Sequence, residues 1–328
     1  MEAQRPVRQG FVMYGASSRI RPMELLPWLL AAAVYFFAPS YLPLAAYVII
    51  MILFTLSLDL IVGYGGIVSL GHSAYFGFGA YVAGILAVRL AGEPLLGLGA
   101  AALAAGLLGL ATGAVILRTH GLTLLMLTLA ITSIVFEVAA RATSLTGGSD
   151  GLHSVPVGPV LGLFSFDIFG KTAFFYCLAV LALCWALVRR LLASPFGASL
   201  VGTRENAARM RAIGAPVYWR RLQAYTISCA LAGMAGALLT HTTQFVGTSV
   251  LGFELSGEAL VMLVLGGVGR LYGAFLGPSV YIVAKDYLAR QSPEYWYLGI
   301  GLLLIAIVLF ARGGILGIFD LAKKRLSR

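Results

Sequence analysis

Apolar runs of about 20 residues, each long enough to cross a bilayer as a helix, follow one another along nearly the whole chain. About ten such runs stand out, at about 23–38, 43–62, 68–90, 95–117, 121–141, 172–192, 222–241, 256–269, 273–290 and 295–311. In hydrocarbon every backbone polar group needs a partner within the protein, so only helices and closed barrels can span. Runs of this length read as helices. The expected fold class is all-α: a polytopic transmembrane helical bundle of about 8–10 spans. The composition agrees, because only 11% of the 328 residues are charged, where a soluble domain carries about a quarter.

Charge placement orients the bundle. The net charge of +10 is gathered between runs and at the two ends, the pattern of the positive-inside rule. Arg5, Arg8, Arg19 and Arg21 precede the first run, and Arg189 and Arg190 end the sixth. Arg204, Arg209, Arg211, Arg220 and Arg221 lie between the sixth and seventh, and Lys323, Lys324, Arg325 and Arg328 close the chain. With ten spans, every cluster falls on one side, so both termini and the loop 193–221 are expected in the cytoplasm. The segment 142–171 carries a single Lys171 against Asp150 and Asp167 and is expected outside. This distribution argues against nucleic acid as a partner. The domain reading is an N-terminal cytoplasmic segment 1–22, a membrane domain 23–318 and a basic tail 319–328. No cleavable signal peptide is evident.

Several chemistries find no support in the chain. It has no G-x-x-x-x-G-K-[ST] stretch, no Ser-His-Asp spacing, no His-rich metal cluster and no paired carboxylates, so no catalytic or metal site is expected. Cys177, Cys184 and Cys229 all lie in apolar runs and read as small core residues.

Five segments carry the functional reading. "GYGGIVSLGHSAYFGFGAYVAG" has glycines at 63, 65, 66, 71, 77, 79 and 84, although each one inside a helix costs about 1 kcal/mol relative to alanine. Gly65-Gly66 reads as a break, and Gly77 and Gly84 share a face with Ala80. Small faces let helices or a ligand approach closely. The segment either packs helix on helix or lines a translocation path, in which case Ser69, His72, Ser73, Tyr75, Gly77 and Tyr81 are its lining. A second break, "GGVGRLYGAFLGPSVY" (Gly266–Tyr281), resembles the first, and such paired interruptions point to an internal repeat of a transporter.

"SLTGGSDGL" (Ser144–Leu152) is turn-rich; Thr146, Gly147, Gly148 and Asp150 are candidates for a periplasmic gate or docking contact, or form an ordinary loop. "RENAARMRAIGAPVYWRR" (Arg204–Arg221) reads as helix up to Ile213, ended by Gly214 and Pro216. Glu205 and Arg209 are placed to pair at i,i+4. The helix is either a solvated surface or a docking element. Finally, ionisable residues within spans are functional candidates; Asp59 and Glu137 stand out, with Glu137 a further path candidate, and either also suits an interfacial or ion-paired position.

Taken in order, "GYGGIVSLGHSAYFGFGAY", "LTGGSDGL", "RENAARMRAIG", "ISCALAGMAGALL" and "LGGVGRLYGAFLGP" resemble the permease subunits of branched-chain amino acid ABC importers, the LivH/LivM family. "LTGGSDGL" and "FARGGILGI" (Phe310–Ile318) resemble the LivM type more. The resemblance covers about residues 43–318. It implies one half of a translocation path in the bacterial inner membrane, paired with a second, LivH-like permease. Two cytoplasmic LivG/LivF-like ATPases, which bind the ATP and Mg, and a periplasmic binding protein complete the implied assembly; no cofactor is expected on this chain. The resemblance places the ATPase-coupling loop at Glu205, Ala208, Arg209 and Gly214. The commoner pattern is a Glu-Ala-Ala run followed by a glycine; here Asn206 is interposed. The implied substrate is a branched-chain or other hydrophobic amino acid, with urea, short amides and aromatic or aliphatic acids as alternatives within the family. A stand-alone secondary carrier is the rival class, and the sparse charge within the spans counts against it.

Overall fold

The computed structural model describes residues 26–291 apart from 38, 91, 168 and 169, together with 298, 299, 301, 302, 305 and 314–317. The expected segments 1–22 and 319–328, and most of the expected span 295–311, lie outside the described residues. Among those described there are twelve bounded α-helices, further helical residues near the C-terminal end such as 314–317, and no strand, only two isolated bridges. The all-α bundle expected from the apolar runs is what forms.

Helix α1 (Leu26–Phe37) is short and apolar. α2 (Leu42–Asp59) continues into a π-turn at Leu60–Tyr64. α3 (His72–Arg89), α4 (Pro94–Ile116) and α5 (Leu122–Arg141) follow, then the single turn α6 (Thr143–Thr146) and α7 (Lys171–Ala193). α8 (Pro195–Glu205) and α9 (Ala207–Ala212) form the connection to α10 (Val217–Thr243). A 3-10 turn at Thr248–Leu251 leads to α11 (Phe253–Gly266) and α12 (Gly273–Gln291). Proline opens α4 and α8, where its missing N–H leaves no helical bond unmade and its fixed φ suits the first turn.

Among the described residues, five segments are long and apolar enough to cross a membrane: Pro39–Tyr64, Pro94–Ile116, Leu122–Arg141, Lys171–Ala193 and Val217–Thr243. This is fewer than the expected ten. The remaining helices stand where the apolar runs predict them, but α1 and α11 are short, and α3 and α12 carry more polar or charged residues. α3 also starts at His72 rather than near 68, because the chain stays non-helical from Gly66 to Gly71.

α10 is the central element and packs most extensively on α4 and α3. The reason lies in its small residues. A Cβ on Gly233 would collide with Ala105 and the Ala101 carbonyl of α4, and one on Gly236 would collide with the Phe76 carbonyl and Ala80 nitrogen of α3. Gly79 faces the Gly233 backbone in turn. Backbones therefore meet almost directly, which is how helices gain packing contact where lipid offers no hydrophobic drive. α2 is buried along most of its length, whereas α5 exposes most of its apolar surface.

The reading of Arg204–Ile213 as one helix is corrected. The chain leaves helical conformation at Asn206 (φ −155°, ψ 95°), whose side chain caps α9 by accepting from the Arg209 N–H at 2.9 Å. Asn is a strong N-cap for this reason. The break removes the i,i+4 relation, and no ion pair joins Glu205 to Arg209 among the described residues.

Candidate functional site

The expected path residues begin where α3 begins. Ser69, His72, Ser73, Tyr75 and Tyr81 are all buried within this chain, and most are engaged by neighbouring helices. His72 Nε2 lies 2.9 Å from Ser57 Oγ of α2 and 3.4 Å from Ser228 Oγ of α10. Ser57 Oγ donates to the Phe54 carbonyl at 2.6 Å, and Ser228 Oγ donates to the Ser57 carbonyl. Both hydroxyl protons are committed, so Nε2 is the protonated nitrogen and donates to them. Nδ1 is then an acceptor, buried without a partner among the described residues. The Phe54 ring stacks on the imidazole, 5.6 Å between centroids.

One residue on, the Ser73 N–H donates to Ser256 Oγ of α11 at 2.8 Å, and Ser256 Oγ donates back to Ser73 Oγ at 2.8 Å. Tyr75 joins three helices: its hydroxyl lies 2.7 Å from Thr112 Oγ1 of α4 and 2.9 Å from the Tyr225 hydroxyl of α10. Thr112 donates to the Leu108 carbonyl, which directs the chain of donors from Tyr225 through Tyr75 to Thr112. Ser69 Oγ accepts from the Gly71 N–H at 3.3 Å. Gly77 faces Leu251 in the 3-10 turn, and Gly84 faces Leu152, Thr240 and Val246. Tyr81 packs with Ala80, Ala139, Val246 and Leu251, its hydroxyl buried without a partner among the described residues.

Glu137 is not brought to this cluster. It sits on exposed α5, its side chain 53% accessible, and pairs with Arg141 one turn on.

The turn after α5 is stitched down rather than loose. Thr146 Oγ1 donates to the Ala139 carbonyl at 2.6 Å, with the Ala142 carbonyl at 2.9 Å, and accepts from the Gly148 N–H at 3.2 Å. Gly147, Gly148 and Gly151 all have positive φ, and Leu152 pairs with Val246 through N–H to carbonyl bonds of 2.8 and 3.1 Å. Asp150 is exposed, with Ser149 Oγ at 3.5 Å.

At the other end of the bundle, where the arginines gather, α9 projects outward. Ala208, Arg209, Arg211 and Gly214 are exposed, as are Ile213 (71%) and Trp219 (61%). Gly214 closes the helix at φ 84°, with none of the described residues within 4 Å of where its Cβ would stand. A crevice of about 220 Å³ opens at the same end between Gly66–Val68, Leu117–Leu125 and Arg221.

The sequence reading missed Ser57, Thr112, Tyr225, Ser228 and Ser256, the partners of the residues it chose. Each is a polar side chain inside an expected span, and that was the available signal. A second buried histidine, His241, was also missed; its Nδ1 lies 3.3 Å from the Tyr176 hydroxyl.

Comparison with known proteins gives the arrangement its family. The family model described as branched-chain amino acid transport system, permease component, matches residues 40–308. The chain is 28% identical to the high-affinity branched-chain amino acid transport permease LivM of Escherichia coli (strain K12), over 83% of this chain and 69% of that protein. It is 27% identical to a probable LivM of Methanocaldococcus jannaschii over 68% of each chain. It is 28% identical to the autoinducer 2 import permease LsrC of Salmonella choleraesuis over 50% of this chain and 48% of that one. No solved structure matches. The chain belongs to the permease components of the branched-chain amino acid transport systems, as a LivM-type, multi-pass membrane subunit of an ABC importer.

Proposed function

We propose that this chain forms one half of the path by which a branched-chain or other hydrophobic amino acid crosses a bacterial inner membrane. A LivH-like permease forms the other half. Two LivG/LivF-like ATPases at the arginine-rich end bind ATP and Mg and do the hydrolysis, and a periplasmic binding protein delivers the solute. The observation that carries this reading is the α8–α9 turn. It offers small and apolar side chains, Ala208 and Ile213, beside Arg209 and Arg211, on and just after a short helix that the other described residues leave uncovered. Small residues let such a helix sit deep in a partner's groove, and flanking charges set its register. The chosen substrate class follows the LivM relatives, which match over far more of the chain than the autoinducer 2 permeases do.

The path residues of α3 then act from behind the surface. Their side chains hold α2, α4, α10 and α11 together, and the solute meets the second permease across the exposed faces. Thr146, Gly147, Gly148 and Asp150 present the outer docking turn.

The test is co-purification and reconstitution with the four partners. Ala208→Glu and Gly214→Val are expected to strip the ATPases from the complex while the permease pair stays folded. ATPases retained in normal stoichiometry by both variants would remove α9 as the docking element. Impermeant labelling of Asn206→Cys, in a background lacking Cys177, Cys184 and Cys229, is expected from the inner face only.

A further inference from the structure

The two glycine breaks that resemble one another in the sequence meet in space, and Arg204 joins them. Arg204 is the last but one residue of α8. Its Nη1 donates to the Gly63 carbonyl, inside the π-turn that ends α2. Its stem lies over Gly66, where a Cβ would stand 2.8 Å from Arg204 Cγ and where φ is +67°. Asp59, the last residue of α2, accepts from the Gly269 N–H at 2.7 Å, in the turn between α11 and α12. Arg204 is near enough to act electrostatically on that carboxylate.

The glycines are what let these parts touch. A Cβ on Gly63 would stand 2.6 Å from the Gly269 nitrogen, and one on Gly269 would stand 3.1 Å from Arg204 Nη1 and 3.2 Å from the Gly63 carbonyl oxygen. Gly269 has φ +75°, a conformation costly for any side chain with a Cβ. A π-turn leaves the regular helix ladder, and such turns gather at functional positions. Here the turn presents a main-chain carbonyl to a cation on another helix.

We propose that Arg204 and Asp59 are positioning residues for coupling. They clasp α8 to the end of α2 and to the α11–α12 turn, so that a push received at α9 moves all three as one body. The inference rests on the reading that α9 meets the ATPase. The chemistry of the clasp suits this role, because the Arg204 tether is a charge-assisted bond and both tethers end on main chain, so they hold backbone, not merely side chains. One end of the clasp lies two residues before the Asn206 break that begins the docking turn. Among the described residues, Asp59 keeps its second oxygen, Oδ2, buried without a partner, a feature that a purely static brace would replace at less expense with apolar packing.

Uptake and ATP hydrolysis measured on one reconstituted preparation test the clasp. Arg204→Gln is expected to keep its ATPases attached while uptake per ATP falls about tenfold, within the usual range of coupling between sites. Arg204→Lys is expected to restore part of the ratio, because it returns the charge. Wild-type uptake per ATP in Arg204→Gln would overturn the proposal. Should Arg204→Gln fail to assemble, spin labels at Ala198→Cys on α8 and Leu271→Cys in the α11–α12 turn of the cysteine-free chain decide with the clasp intact. Their separation is expected to stay within about 1–2 Å, the scale of ordinary helix adjustment, when ATP is trapped. A larger change overturns the clasp. Failure of the docking reading shows separately, as ATPases that remain on the Ala208→Glu chain.

Discussion

Glycine serves two different ends at the α3–α10 seam and at the close of α9. At the seam, Gly79, Gly233 and Gly236 have ordinary helical backbone, and their value is the absent Cβ: neighbouring main chain occupies the space where it would stand. At Gly214 the space is empty and the value is the backbone angle, φ 84°. The first region is closed by its own chain. The second is shaped by its own chain but left open for another. A glycine that fails by collision marks the core of a permease, and one that fails by strain marks a turn that is free to be an interface.

The sharpest way to break this contrast is at the seam. Gly236→Leu sets a branched side chain against α3 main chain, which cannot step aside, so the loss is expected to exceed the about 1–3 kcal/mol of ordinary overpacking. Size-exclusion of the detergent-extracted chain is expected to show no monodisperse peak; a normal peak would mean that α3 and α10 do not meet as closely as described. Gly77→Leu meets the Leu251 side chain, with the Val250 carbonyl oxygen 3.1 Å from where a Cβ would stand. It is expected to leave the complex assembled and abolish uptake if α3 lies behind the path, and to lose assembly if Gly77 serves packing alone.

Gly214→Val is expected to cost about 1–2 kcal/mol locally, for a left-handed residue with a Cβ, with the bundle unchanged in thermal melting and the defect confined to ATPase attachment. Ser256→Ala removes the bonds to Ser73. Hydrogen bonds between membrane helices average only about 0.6 kcal/mol, so a small drop in melting temperature is expected, far below the Gly236→Leu effect. An equal drop would mean that polar bonds, rather than backbone approach, hold the seam. Smallest of all, Glu137→Gln breaks an exposed pair worth about 0–1 kcal/mol, and uptake is expected to stay at the wild-type level; its loss would bring Glu137 back to the path.

Local pattern made much of this legible. The apolar runs located the spanning helices to within a few residues, because in hydrocarbon a backbone has hardly any other way to satisfy itself. Gly65-Gly66 was readable as a break, and the cysteines as core: all three are free and buried. Asn206 could have been read as a cap, since Asn favours that position, but its neighbours are helix formers and hid it. The length of α3 was misjudged because Ser69 and Leu70 suit a helix, while their polar groups take partners of their own: the Leu70 N–H donates to Thr128 Oγ1 of α5.

The sequence by itself determined that the chain is a helical membrane bundle, which of its segments are interrupted, and which family's motifs it carries. These depend on residues within one or two turns of each other and on the demands of the bilayer. Only the tertiary structure decided that His72, Ser73 and Tyr75 are tied to Ser57, Ser256, Thr112, Tyr225 and Ser228, that Glu137 stands apart on α5, and that the two glycine breaks close on Arg204. The tie from Arg204 to Gly63 spans 141 positions and that from Gly269 to Asp59 spans 210. Hydropathy cannot order such contacts: α2 and α5 are both apolar enough to span, yet one is buried and the other exposed. In a bilayer an apolar side chain is equally content against lipid or protein, so which helices face each other is settled by close packing and by the few polar groups that must find partners.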